Sequence, residues 1–180
     1  MLYSYDECIK KYGSNNKLIK ALKNKKVFKI EKGIYSNEDT VMDFEIIIKK
    51  YPKAIFTMDY AFHYHGLTDS IPDKYHIATL RSARQIRDSR IKQIFIPDNL
   101  LSLGVIEEKR NNIKFKIYDK ERMLIELIRY KNSLPFDYYK EIINNYRNII
   151  HKLDIKRIVE YTELFPKSKM LFETIQKEVL

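Results

Sequence analysis

Four groups of residues in this sequence have types and spacings that can carry chemistry. The first is Pro97-Asp98 followed by Glu107-Glu108-Lys109, a PD…ExK pattern of the restriction-nuclease type. Two acids of that kind can hold Mg²⁺ beside a lysine and activate water for phosphodiester cleavage. The spacing is tight, and patterns this short recur by chance, so the expectation is no catalysis, with a nuclease using Asp98, Glu107 and Lys109 kept as the alternative. The second group is His63 and His65 in "FHYHGL", with His76 on a separate predicted strand. Residues two apart point to different sides of a helix, and no nearby acid completes a ligand set. These histidines read as packed or surface groups, and no metal or cofactor is expected.

The third group is the most populated. In "SNNKLIKALKNKKVFKIEKGIYSN", residues 14–37, lysines crowd a predicted helix and hairpin. Between Cys8 and Gly33 there are nine lysines and one acid, Glu31, a balance of +8 against a net charge of +10 for the whole chain. A solvated helix face ordinarily mixes signs, because opposite charges at i,i+4 support it. Here the outer face is unpaired. Lys17, Lys20, Lys23, Lys29 and Lys32 are therefore candidates for neutralising phosphates, and Asn15, Asn16 and Asn24 for reaching base edges. Asn15 has a second reading as a plain helix N-cap. A further basic cluster, Arg81, Arg84, Arg87 and Arg90, recurs every three residues in "RSARQIRDSR". If helical, it presents one basic face to nucleic acid or an acidic partner; otherwise it is a solvated loop.

These residues need elements to position them. The 180 residues are 44% hydrophobic and 32% charged, with four glycines and five prolines, a composition that buries a core and favours long regular elements. Cys8, the single cysteine, excludes an intramolecular disulfide and reads as a small buried hydrophobe. No segment approaches the roughly 20 apolar residues of a membrane span, and no signal peptide is visible, so a cytoplasmic protein without membrane contact is expected. Ser4 can cap a first helix whose stripe is Tyr5, Ile9 and Tyr12, stopped by Gly13. A second helix follows Ser14 or Asn15, with Leu18, Ala21 and Leu22 inward and Ile19 at the margin. "KVFKI", "EKG" and "IYS" then read as strand, turn and strand. Helix, turn, helix, hairpin is the order of a winged helix, here without the helix that usually precedes it.

Beyond residue 38 the pattern changes. "VMDFEIIIKKYP" predicts a helix with Val41, Phe44, Ile48 and Tyr51 on one side, ended by Pro52. "KAIFT", "KYHIAT" and "KQIFIP" read as strands, "MDYAFHYHGL" as a helix, and "GVIEEKRNNIKFKIYD" as a hairpin turning at Asn111-Asn112. From Asp119 the chain is helical, with Met123, Leu124, Leu127 and Ile128 forming one face of the first of these helices. The fold class expected is α+β: a truncated winged helix-turn-helix over 1–38 and a mixed α+β domain over 39–180 that ends in several helices.

Three segments carry a family resemblance. "FKIEKGIYSN" is similar to the wing ending of the AbiEi family of antitoxins and transcriptional regulators. "FTMDYAFHYHGLTDSIPDKYHIAT" is similar to that family's "S--SAl-lhGL----P--i-va". "IYDKERMLIELIR" is similar to its "v-d-ERTl-Dli-", with Glu121-Arg122-Met123 at the matching positions. With the helix-turn-helix ahead of the first, they span residues 5 to 130. The resemblance implies an N-terminal winged helix on operator DNA, with Asn15–Asn24 as reading helix and Val27–Tyr35 as wing. It also implies a C-terminal domain that counters a nucleotidyltransferase-like toxin without needing a stable complex. A third reading is a protein-interaction module whose basic face grips an acidic partner without DNA.

Overall fold

A three-residue strand, β1 (Leu2–Ser4), opens the chain. Ser4 then caps α1 (Tyr5–Tyr12) through a reciprocal capping box: its Oγ accepts from the Glu7 amide at 3.2 Å, and Glu7 accepts from the Ser4 amide at 2.6 Å. Gly13, at φ 85°, takes the left-handed conformation that ends the helix, its amide reaching the Ile9 carbonyl. After the turn come α2 (Asn15–Lys23), the hairpin β2 (Phe28–Glu31) and β3 (Ile34–Ser36), and α3 (Asp43–Lys50). The computed structural model describes residues 1–180, in two units, Met1–Pro52 and Lys53–Leu180.

In the first unit β3 is the central strand of an antiparallel sheet ordered β1-β3-β2. Leu2 and Phe28 both register with Ser36, from opposite sides. The core is Cys8, Leu18, Ala21, Val27 and Tyr35, with Tyr3, Ile9, Tyr12 and Leu22 partly buried against it. The stripe expected of α1 is therefore corrected: Cys8 is the fully buried residue, whereas Tyr5 is exposed.

The helix α3 falls in the first unit, whereas the sequence reading divides the chain at residue 38. Lys49 pairs with Glu7 on α1 at 2.5 Å and Lys50 with Glu31 on β2 at 2.8 Å, while Phe44, Ile46 and Ile47 are buried. Of its expected stripe, Phe44 is buried and Val41, Ile48 and Tyr51 are half-buried.

The second unit is built on a five-stranded mixed sheet. Its elements are β4 (Ile55–Phe56), α4 (Met58–Tyr64), β5 (Tyr75–Leu80), β6 (Ile91–Ile96), α5 (Asp98–Leu101), β7 (Val105–Arg110) and β8 (Ile113–Tyr118). The strand order is β6-β5-β4-β8-β7. The pairs β5/β6 and β4/β8 are parallel, and β4/β5 and β7/β8 antiparallel. Four longer helices follow: α6 (Lys120–Tyr130), α7 (Phe136–Ile149), α8 (Ile155–Glu163) and α9 (Ser168–Glu178). The molecule is thus α+β, with strands and helices largely segregated along the second unit.

The axis of that unit is α6, buried from Glu121 to Ile128. One apolar face is therefore too narrow a description, because Arg122 and Glu126 lie inside as well. Arg122 is 0% exposed. Its Nε and Nη2 donate to Glu126 Oε1 at 3.0 and 2.6 Å, and Nη1 donates to the Leu100 carbonyl at 2.9 Å. The rings of Tyr118 and Phe165 bracket the guanidinium, 4.7 and 4.5 Å from their centroids. Charge pairing, hydrogen bonds and aromatic faces together offset the cost of burying the cation. Asp119 caps α6 by accepting from the Arg122 amide at 2.7 Å, and burial raises its carboxyl above the usual range.

Candidate nucleic-acid interface

Two constraints fix what α2 presents. Ser14 caps it, Oγ accepting from the Lys17 amide at 3.3 Å. Leu18 and Ala21 are then turned inward and Leu22 half-inward, which leaves Asn16, Lys17, Lys20 and Lys23 exposed on the opposite side. Ile19 is exposed too, at 42%. Because Ser14 supplies the cap, Asn15 stands at the first helical position instead. Its Oδ1 accepts from the Tyr5 hydroxyl on α1 at 3.4 Å. Asn24 lies at the far end, as the C-terminal cap residue. A helix of this length separates the two ends by about 13 Å.

The hairpin adds two more cations. Lys29 points outward from β2, and Lys32 sits in the turn beside Gly33, whose φ of 82° the turn requires. All nine lysines from Lys10 to Lys32 are exposed. No acid lies within ion-pair reach of Lys17, Lys20, Lys23, Lys29 or Lys32, since Glu31 is committed to Lys50. Lys11 alone among the nine is held by a neighbour, donating to Tyr3 Oη at 3.0 Å with its ammonium 4.3 Å from the ring centroid. That bond raises the Lys11 pKa. Apart from Glu31 the acids of the unit lie outside this stretch, so the unit's net charge of +4 is unevenly spread, with the positive end at α2 and the hairpin.

No family model matches the chain. Terpene synthase 4 of Dictyostelium discoideum is 35% identical over a 69-residue alignment that covers 36% of this chain and 20% of that protein. The chain therefore spans about a fifth of the length of that relative, and a match this partial identifies no family.

The other sequence candidates lie in the second unit. Residues 81–90 are not helical; they form the irregular connection between β5 and β6, so the arginines do not share a helix face. Arg90 is folded onto Asp88, with Nη2–Oδ2 at 2.7 Å and Nε–Oδ1 at 2.9 Å. Arg81, Arg84 and Arg87 are exposed. Gln93, which the sequence reading passed over, fastens this loop: it accepts from the Ile86 amide at 2.8 Å and donates to the Arg84 carbonyl at 3.2 Å.

The nuclease-type residues are spread over separate elements. Asp98 begins α5, exposed, whereas Glu107 and Lys109 lie on β7. Glu107 is bonded to Lys114 of β8 at 2.7 Å, which lowers its pKa. No three His, Cys, Asp or Glu side chains are grouped as metal ligands. The histidines have packing roles. His65 Nε2 lies 2.7 Å from the Tyr118 carbonyl, and His76 Nδ1 accepts from the Asp59 amide at 3.2 Å. Burial lowers the pKa of both rings, so each is held toward its neutral form.

Proposed function

We propose that this protein is a DNA-binding regulator of the antitoxin type, reading operator DNA with α2 and touching the backbone with the β2–β3 hairpin. The observation that carries the reading is the run of exposed lysines, with no acid in reach, along one side of α2 and onto the hairpin. A helix after a tight turn, followed by a hairpin whose second strand is central in a β1-β3-β2 sheet, supports a winged-helix interpretation. In this reading α3 supplies the third helix, so the first unit need not be a truncated one. Lysines fix register on phosphates and carry little sequence information, so specificity falls to Asn15, Asn16 and Asn24. The resemblance of three segments to AbiEi regulators adds the expectation of autoregulation. It also adds a nucleotidyltransferase-like toxin as functional partner, with no cofactor and no reaction of the protein's own. No observation favours the nuclease alternative: Asp98 stands on α5, and Glu107, on β7, is paired with Lys114.

The test is a gel shift of the full chain on DNA upstream of its own gene, across a salt series. Changing Lys17, Lys20 and Lys23 to alanine removes three phosphate contacts. The slope of log K against log salt then becomes shallower by about 3. An unchanged affinity and slope would sink the assignment of α2.

A further inference from the structure

On one side, the sheet of the second unit ends in a strand with an open flank. β6 bonds β5 along one edge, and no group of the chain bonds the backbone of residues 92–95 along the other. The opposite edge strand, β7, has the sequence Val-Ile-Glu-Glu-Lys-Arg, with the charges that discourage another strand from pairing. β6 is less protected: it is Ile-Lys-Gln-Ile-Phe-Ile, with exposed Lys92 as its one charge, and Phe95 stands 43% exposed. Fastened to the middle of this strand is the arginine loop. Gln93 holds it through Ile86 and Arg84, and is itself steadied by donating to Thr79 Oγ1 at 2.8 Å. Arg90 is neutralised by Asp88, while Arg81, Arg84 and Arg87 have no acid in reach.

We propose that the free edge of β6 and this loop form one docking site for an extended, acidic and apolar segment of another protein. The segment adds to the sheet as a further strand, and its carboxylates meet Arg81, Arg84 and Arg87. Main-chain bonds to an open edge give affinity, and alternate side chains give selectivity. Guanidinium groups favour carboxylates because the two planar forks match. The charge decides among occupants. A second copy pairing β6 to β6 sets two arginine loops against each other. A phosphodiester backbone satisfies the arginines but leaves the open strand and Phe95 unused. An acidic strand satisfies both. This inference is independent of the DNA reading of the first unit.

The experiment uses the full chain and a fluorescein-labelled hexapeptide alternating valine and glutamate. Anisotropy follows binding, and amide hydrogen exchange locates it. Saturable binding is expected, with slowed exchange confined to residues 91–96. The triple change R81A/R84A/R87A, at exposed positions, weakens binding by about tenfold. Peptides with lysine for glutamate, or with alternate amides N-methylated, do not bind. Four results would each overturn the proposal: no saturable binding, equal binding of the N-methylated peptide, displacement of the peptide by duplex DNA, or protection of β6 that rises with protein concentration in the absence of peptide.

Discussion

Arg122 and Glu126 are mutually dependent because each is buried against the other. Changing Arg122 to alanine leaves the Glu126 carboxylate with only Arg129 at 2.6 Å, and opens a cavity between Tyr118 and Phe165. A loss of about 3–5 kcal/mol is expected in urea unfolding. The double change R122M/E126L removes both charges and recovers most of that loss; if it is as unstable as R122A, the pairing argument fails. His76 gives the pH counterpart. Its folded pKa is depressed by burial, against the pull of Asp59, so the unfolded chain takes up the proton first. Stability contributed by the neutral ring is complete above the ordinary histidine value of about 6.5 and declines as pH falls from there toward the depressed value. The H76N variant keeps an acceptor for the Asp59 amide and cannot titrate. Thermal melts between pH 7 and about 5 should show a shallower decline for H76N than for the native chain.

Among the elements, the β7–β8 hairpin was legible because its turn is chemically marked. Asn111 and Asn112 sit at φ 50° and 66°, joining Arg110 to its register partner Ile113. Left-handed backbone costs asparagine less than other residues with a Cβ, and a two-residue turn of this hand matches the twist of the strands. Replacing both by alanine is expected to lower stability by about 2 kcal/mol, and Asn112→Gly alone to raise it slightly. Equal urea midpoints for the three proteins would contradict this account. The α2 helix was legible for a different reason: Ser14, Gly13 and the spacing of Leu18, Ala21 and Leu22 fix its ends and inner face locally. The arginine stretch was not, because a three-residue repeat fits a helix and a loop equally. Its conformation is imposed by Gln93, seven residues from the amide it accepts.

At the scale of the whole molecule, charge is divided unequally between what the two units can do with it. The first carries +4 and the second +6, yet only the first concentrates its lysines on one helix and one hairpin. The second spreads its charge over loop, strand and helix, and neutralises much of it internally, as at Arg90–Asp88 and Lys114–Glu107. Duplex affinity should therefore respond to position rather than to net charge. Removing three charges as R81A/R84A/R87A is expected to leave operator affinity within about twofold, far less than the effect of the three α2 lysines. A comparable loss from both triples would make the attraction a property of overall charge. No helix is long and apolar enough to cross a membrane.

Local rules were enough for the sequence by itself to determine the α+β class, most element positions, the capping of α1, the buried Cys8 and the unpaired lysines of α2. Each depends on residues within a few positions of one another, where period, caps and charge spacing act directly. Tertiary structure alone decided the rest. The strand β1 is too short to announce itself and exists because β3 offers it an edge. The helix α3 belongs to the first unit because Lys49 and Lys50 find Glu7 and Glu31 there, more than fifteen residues back along the chain. Arg122 reads as a surface charge in sequence and becomes core only because Glu126, Tyr118, Phe165 and the Leu100 carbonyl converge on it. The open flank of β6 is likewise invisible in one dimension, since strand order is set by pairing across the sheet rather than by chain order.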